Sequence, residues 1–445
     1  MAKGPIPSQK RVHGIGGWDP RDRTFIRDHA NRIVKRAREA QLHLVKPVQD
    51  LAELIRNNPT VRTLFTEMLT EVPVAYAEDP SLQPEMRDVP TLLNAINFQI
   101  QQPISYNDLV QIGTPFNALL DWPMGTKAGF AAFLRDDVNN CFGAILAFWG
   151  TFLTSLPSIQ TVTTADGGWL SAAAQNSPSS PGLKDFLNTY SVPNPNDIHY
   201  GFRSWDQFFT RKFLPGRREV DDPQDSLVIV SAAESIPFYI QENVQLQDSF
   251  WAKDQHYSLA HLLGDPDMAA KFVGGTVYQA LLSADCYHNW HAPVSGRYLQ
   301  TPTIIPGTYY SEPLLGGFSP DLSQNPIPSP DAAAVKFQGY IACVAKRGVA
   351  YIQPDDPTIG LIALVMIGMA EVSSVDFDDL EHFEKGQEIG RFHFGGSTHC
   401  LIFGPGVKFH PDTIAVPRDP SHVEPVQDAV PVCKRLGTLS PVARE

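Results

Sequence analysis

Phe392-His393-Phe394-Gly395-Gly396-Ser397-Thr398-His399 is the stretch from which the rest of the chain is read. Two glycines bring the backbone up to a serine hydroxyl with no Cβ in the way, on a segment that arrives through Gly386 and Gly390 and leaves through Gly404 and Gly406. A hydroxyl in that place can attack the carbonyl of the residue before it. The acyl group then moves from N to O, and elimination from the ester leaves a new N-terminus at residue 397. Two commoner chemistries fail on the same residues. The nucleophile elbow G-x-S-x-G needs a glycine where His399 stands, and no G-K-[ST] follows the glycines to make a phosphate loop. Taken alone, the tetrapeptide also reads as a tight glycine turn with an exposed serine.

Upstream lies a second group of reactive side chains, Tyr287-His288-Asn289-Trp290-His291-Ala292-Pro293-Val294-Ser295-Gly296. Two histidines three apart suit a metal, but no nearby cysteine or carboxylate pattern supplies a third and fourth ligand. An extended backbone sends the two rings to opposite faces, whereas a turn makes them converge. Proton transfer is therefore as good a reading as metal binding, and one histidine capping a turn before Pro293 is the plain structural alternative. No metal is expected.

Around these segments, residues 201 onward carry short β-branched runs bounded by glycine and proline: Leu227 to Val230, Thr276 to Leu282, Arg297 to Leu299, Leu361 to Ile367 and Leu401 to Phe403. That texture predicts a β-rich domain with little helix apart from Ser258 to Leu263. Pro302 to Pro330 reads as an ordered surface loop. The N-terminal third is different. In Asp22 to Ala37 the apolar positions Phe25, Ile26, Ala30, Ile33, Val34 and Ala37 recur at three and four, one face of a helix. Pro47 opens a second helix that Asn57-Asn58-Pro59 ends, and Val61 to Leu69 makes a third before Pro73. Leu92, Leu93 and Ile96 suggest another, and Lys127 to Leu156 one or two more. Between the halves, Gly167-Gly168, Ser177 to Gly182 and Pro193 to Asn196 read as a connector lying over the surface. The fold class expected is α+β, with a helical domain at 1–156, a connector at 157–200 and a β-rich domain at 201–445.

A length of 445 residues is itself a prior for two domains. The net charge of -13 argues against nucleic acid as partner and gives no pull toward an anionic membrane. Cys141, Cys286, Cys343, Cys400 and Cys433 are scattered and odd in number, as reduced thiols of a cytoplasmic protein would be. No apolar run follows Met1 to Arg11, so no secretory signal is expected there. Phe142 to Leu156 is interrupted by Gly143, Gly150, Thr151 and Thr154 and is shorter than the roughly 18 apolar residues of a membrane span. A buried helix is the expectation.

Lys385-Gly386-Gln387-Glu388-Ile389-Gly390-Arg391-Phe392, then Gly396-Ser397-Thr398 and Leu401 to Gly406, resembles the C-terminal signature of phosphatidylserine decarboxylases. Ser204-Trp205-Asp206-Gln207-Phe208-Phe209-Thr210-Arg211 with Pro215 to Arg218 resembles the family's first motif. His256 to Leu263, Tyr287 to Gly296 and Ile305-Pro306-Gly307 follow in the family's order. The resemblance implies a self-processing enzyme, cut between Gly396 and Ser397, with Gly395 and Thr398 supporting the cleavage site. Ser397 becomes a covalent pyruvoyl group, and the segments 1–396 and 397–445 stay associated. That group condenses with a substrate amine to an imine and accepts the electron pair released with carbon dioxide. By position in the motif, His291 corresponds to the base of self-cleavage, acting with a carboxylate, and His288 to the histidine of decarboxylation. Leu227 to Ser235 matches a segment that usually reads P-x-D-G, so Glu234 stands where Asp is expected.

Residues 40–75, Thr126 to Leu153, Gly168-Trp169, Ile305 to Tyr309 and Gly360 to Glu371 resemble the soluble fungal L-tryptophan decarboxylase branch of the family. The substrate implied is a free, aromatic L-amino acid, with no integral membrane segment and a homodimer left open. Three alternatives stand beside it: a phosphatidylserine decarboxylase making phosphatidylethanolamine, a non-catalytic scaffold in which Glu234 cannot support cleavage, and a serine hydrolase.

Overall fold

The structure, a computed structural model, describes residues 24–71, 86–106, 115–177, 180–247, 257–283, 285–310, 338–368, 371, 374–395, 397–417 and 429–442. Gly396, His256 and the greater part of Pro302 to Pro330 lie outside the described residues, so what was expected of them is not addressed.

Among the described residues seven α-helices lie between Thr24 and Leu153: α1 (Thr24–Ala40), α2 (Lys46–Asn57), α3 (Pro59–Thr70), α4 (Val89–Gln99), α5 (Pro115–Met124), α6 (Lys127–Phe133) and α7 (Asp136–Leu153). Local chemistry sets their ends. Asn58 stops α2 and caps α3, its Oδ1 accepting from Thr60 N and Val61 N. Asp88 caps α4 through Thr91 N at 2.7 Å, and Asp136 and Asp137 put negative charge at the positive end of α7. Helix α5 had not been read from the sequence. Helix α7 buries Phe142, Ile145, Leu146, Trp149 and Leu153, and no helix of the described residues is long and apolar enough to cross a membrane.

Residues 157–200 correct the expectation of a surface connector. Their prolines and glycines punctuate short helical turns, while Trp169, Leu183, Phe186 and Tyr190 point inward and are buried. The composition reported the turns correctly and concealed the aromatics between them. The larger core is continuous from Ala30 to Leu439, so helices and strands share it.

The thirteen strands of the described residues are β1 (Val228–Val230), β2 (Ile236–Glu242), β3 (Thr276–Leu282), β4 (Asn289–His291), β5 (Gly296–Tyr298), β6 (Thr303–Ile305), β7 (Arg347–Pro354), β8 (Ile362–Gly368), β9 (Ser374–Phe377), β10 (Glu388–His393), β11 (Ser397–Phe403), β12 (Val407–Pro411) and β13 (Arg435–Pro441). An antiparallel sheet runs β2-β3-β11-β8-β7-β5, with β6 also on β7. Strands β3, β8 and β11 are buried at every position, and in β8 the apolar residues accordingly run unbroken from Ile362 to Ile367 and do not alternate. Two three-stranded sheets, β1-β13-β12 and β4-β10-β9, flank it. Helix is somewhat richer here than expected: α8 (Trp205–Phe209) and α10 (Gln338–Val344) join the anticipated α9 (Leu259–Leu263). The result is an α+β fold.

Candidate active site

Ser397 is the first residue of β11, at the middle of the large sheet, paired with Leu282 of β3 and Gly368 of β8. It is fully buried, not exposed on a turn. Gly395 before it has φ +128, a conformation that side chains rarely adopt, so a glycine at this position serves the backbone. Side chains alternate along a strand. Ser397, His399 and Leu401 therefore share one face, and Leu401 lies in the core that includes Trp149, Trp205 and Tyr287. Thr398, Cys400 and Ile402 face the second core, roofed by α9 and α10. Among the described residues Ser397 Oγ has no hydrogen-bond partner.

The two histidines enter on the segment after β3. Arg211, buried at the end of the first motif, holds that segment through its Nη2, which donates to the carbonyls of Asp285 at 2.5 Å and Cys286 at 3.3 Å. Its guanidinium also lies 4.4 Å from the Tyr190 ring centre. Asn289 ties back to the Arg211 carbonyl at 3.1 Å. His288 is thereby fixed, stacked on Phe209 of α8 at 4.1 Å and fully buried. Its Nδ1 donates to the Cys286 carbonyl at 3.0 Å, which leaves Nε2 as the bare acceptor of a neutral imidazole, unpartnered among the described residues. Burial first of all holds its pKa near 3, against 6.5. Phe209 also contacts Phe394, three residues before Ser397, at 5.8 Å.

His291 closes β4, opposite Glu388 of β10. Its Nδ1 bonds the Gly386 carbonyl at 2.6 Å and its Nε2 the Tyr287 hydroxyl at 2.9 Å. Burial lowers its pKa, and the Gly386 bond and the charges of Glu388 and Glu234 act in the opposite direction. Glu234 does not hydrogen-bond His291. Its carboxylate is forked by Arg218 at 3.0 and 2.5 Å and accepts from Val432 N at 2.9 Å. The structure thus holds Glu234 near His291 as a charge and not as a direct partner. Thr398 Oγ1 donates to the Ala280 carbonyl at 2.8 Å and accepts from Gln279 Nε2 at 3.0 Å.

Three groups were not singled out from the sequence. His399 is fully buried on the Ser397 face, and among the described residues neither ring nitrogen has a hydrogen-bond partner. Its place two residues after a serine was the available signal. His393 bridges Asp206 at 2.8 Å and Asp376 at 3.0 Å, and these bonds raise its pKa to about 9. Glu371 had no sequence signal at all. All five cysteines are free thiols.

One family model described as phosphatidylserine decarboxylase matches residues 205–419, and a second of the same description matches 45–177. Decarboxylase iboD of Amanita muscaria is 38% identical over 313 residues, 69% of this chain and 89% of that protein. The L-tryptophan decarboxylase of Psilocybe cubensis is 31% identical over 85% of this chain and 84% of its own length. Phosphatidylserine decarboxylase proenzyme 3 of Schizosaccharomyces pombe is 28% identical over 51% of this chain and 21% of its own length.

Proposed function

The chain belongs to the phosphatidylserine decarboxylase family and is a decarboxylase, and from that premise we propose that it cuts itself before Ser397, carries the resulting pyruvoyl group and decarboxylates a free aromatic L-amino acid. The observation that carries the reading is the Ser397 hydroxyl: buried, without a partner among the described residues, at the head of the central strand behind a glycine of positive φ. Buried polar atoms are nearly always satisfied, and the exceptions ask for a chemical reason.

In the cleavage step Ser397 Oγ attacks the carbonyl of residue 396, and His291 takes its proton. The hydroxyl on His291 Nε2 is a rotor that can turn away. Glu234, anchored by Arg218, favours the imidazolium that forms. A pyruvoyl carbonyl, once made, is an electron sink for decarboxylation of an amine-bearing substrate. His288 holds its bare Nε2 as an acceptor, able to take a proton that the substrate's ammonium group gives up and return it to the substrate carbon that loses carbon dioxide, a contribution of about 10²–10⁴-fold for a positioned group. The name of the Psilocybe cubensis relative favours a free amino acid; the family's name keeps phosphatidylserine as the second reading.

The test is intact mass under denaturing conditions, followed by amine release from free amino acids and from phosphatidylserine vesicles. Two species are expected, the smaller comprising residues 397–445, about 5 kDa of the 49.1 kDa chain, with a carbonyl in place of its amino terminus. A single uncut species that releases no amine defeats the proposal, and activity on vesicles alone replaces the substrate class.

A further inference from the structure

Between α7 and the end of the large sheet lies a cleft of about 320 Å³, at the small end of the roughly 300–1,000 Å³ that ligand sites occupy. Leu146, Trp149 and Gly150 form its helical wall, and Glu371, His393 and Phe394 its sheet wall. It adjoins Ser397 along two chains. Phe394 is three residues before Ser397, and Glu371 is three residues after Gly368, which pairs with Ser397. Three residues of chain span at most about 10 Å. A third tie runs through Lys346, also in the cleft, whose carbonyl accepts from Gly368 N at 2.9 Å.

Glu371 is unusual in three respects. Its backbone has φ +73, a strained conformation for a residue with a side chain. It is only 2% exposed. Its Oε1 is occupied by Phe116 N and by Asn117 N, at 2.8 Å, in the first turn of α5, but its Oε2 has no partner among the described residues. A strained, buried carboxyl with one oxygen committed and one free, in the wall of a cleft beside the nucleophile, is arranged for a ligand. The remaining wall says what kind. Trp149 and Phe394 meet edge to face at 4.8 Å and 85°, a surface for a planar ring. His393 and Lys346 are two positive groups set against the two carboxylates of Asp206 and Asp376, and burial pushes the Glu371 carboxyl well above its usual range, so the cleft does not call for a cationic side chain.

We propose that this cleft is the side-chain pocket of the decarboxylase and that Glu371 Oε2 accepts a hydrogen bond from a neutral ring N–H of the substrate. This rests on the reading of the enzyme as an amino-acid decarboxylase. Helix α7 is then a specificity element: it supplies the wall that sorts side chains by size, and Glu371 sorts them by polarity. The carboxyl also hooks α5 to the sheet, so the pocket exists only while helices and strands are docked.

Two substitutions test it. Glu371→Gln keeps Oε1 for the two backbone donors and turns the free oxygen into a donor, which faces an incoming N–H with like polarity. Gly150→Leu fills the cleft; a Cβ at Gly150 meets nothing within 4 Å, and leucine favours helix over glycine. Self-cleavage reports that each variant has folded. For the unsubstituted enzyme KM is expected to be roughly tenfold lower for tryptophan than for 1-methyltryptophan, the upper value of one neutral hydrogen bond. Glu371→Gln should erase that difference, and Gly150→Leu should raise KM for both. Unchanged KM for tryptophan in both variants overturns the pocket while leaving the proposed activity standing. If the unsubstituted enzyme decarboxylates no free amino acid, the proposed activity has failed, and calorimetry with tryptamine still reads the cleft: binding weakened by both substitutions supports the pocket, and no binding to the unsubstituted protein refutes it.

Discussion

Adjacent residues of β11 look onto opposite chemical worlds. On the Thr398 side the polar groups next to the strand are answered, Thr398 with Ala280 and Gln279, Gln279 with Gln338, and Tyr257 with Gln279, while the Tyr351 hydroxyl of the same core has no partner among the described residues. On the Ser397 side Ser397 Oγ, His288 Nε2 and both nitrogens of His399 are buried without partners among the described residues. The two faces have the same burial and the same strand geometry, so solvent does not explain the contrast. A saturated network fixes one structure, whereas unsatisfied groups cost stability and stay only where they have work to do. The comparison locates function on one face of one strand.

The largest effect that separates the faces comes from a crossed pair of substitutions. Ser397→Ala should abolish self-cleavage, seen as a single intact mass, yet shift stability by no more than about 1 kcal/mol, because the hydroxyl it removes satisfies nothing. Thr398→Val should do the reverse. It strips a donor from the Ala280 carbonyl and an acceptor from Gln279, at a cost of about 1–3 kcal/mol in denaturant unfolding, while the chain still cuts itself. If both substitutions behave alike, the division between the faces is not functional.

His399 offers a sharper and smaller test. His399→Leu replaces an unsatisfied ring by an apolar side chain in a strand buried on both sides, so the unfolding midpoint should rise by about 1 kcal/mol. If the unsatisfied face works as a unit, cleavage should also slow by roughly tenfold or more in a time course of fragment appearance. A stabilised variant that cuts at the normal rate would make His399 a frustrated core residue and confine the reactive group to Ser397 and His288.

How much of this was legible in the sequence depended on what kind of signal each residue left. Thr276 to Leu282 read as a strand with its limits right, because β-branched runs ending at glycine are local. The end of α2 followed from Asn57-Asn58-Pro59. Helix α5 and strands such as β7 and β13 left no comparably clear pattern. The motifs pointed to Ser397, His288 and His291, but spacing cannot say which nitrogen is free: that depends on Cys286, Tyr287 and Gly386, which are brought there by folding. Glu371 was invisible for the same reason, since its partners Phe116 and Asn117 lie some 255 residues away.

The smallest expected effect is in the pH dependence of stability, and the buried histidines give its sign. His288, His399 and His29 have folded pKa values near 3, 4 and 4, held down first by burial. Between these values and the ordinary 6.5 the unfolded chain binds protons that the folded chain refuses, so stability is present above 6.5 and is lost as pH falls toward 4. His393 is opposite: its bonds to Asp206 and Asp376 hold its pKa near 9, so its contribution is full below 6.5 and is lost as pH rises through 9. The histidines together place maximum stability near pH 6.5, measurable as Tm across pH 4 to 10. His399→Leu should flatten the acid limb alone, because its ring is one of the buried imidazoles that charge there. His393→Gln should flatten the alkaline limb alone. Were His399→Leu to leave the acid limb untouched, that ring would already be protonated and paired in the folded chain, and the contrast between the two faces of β11 would lose one of its members.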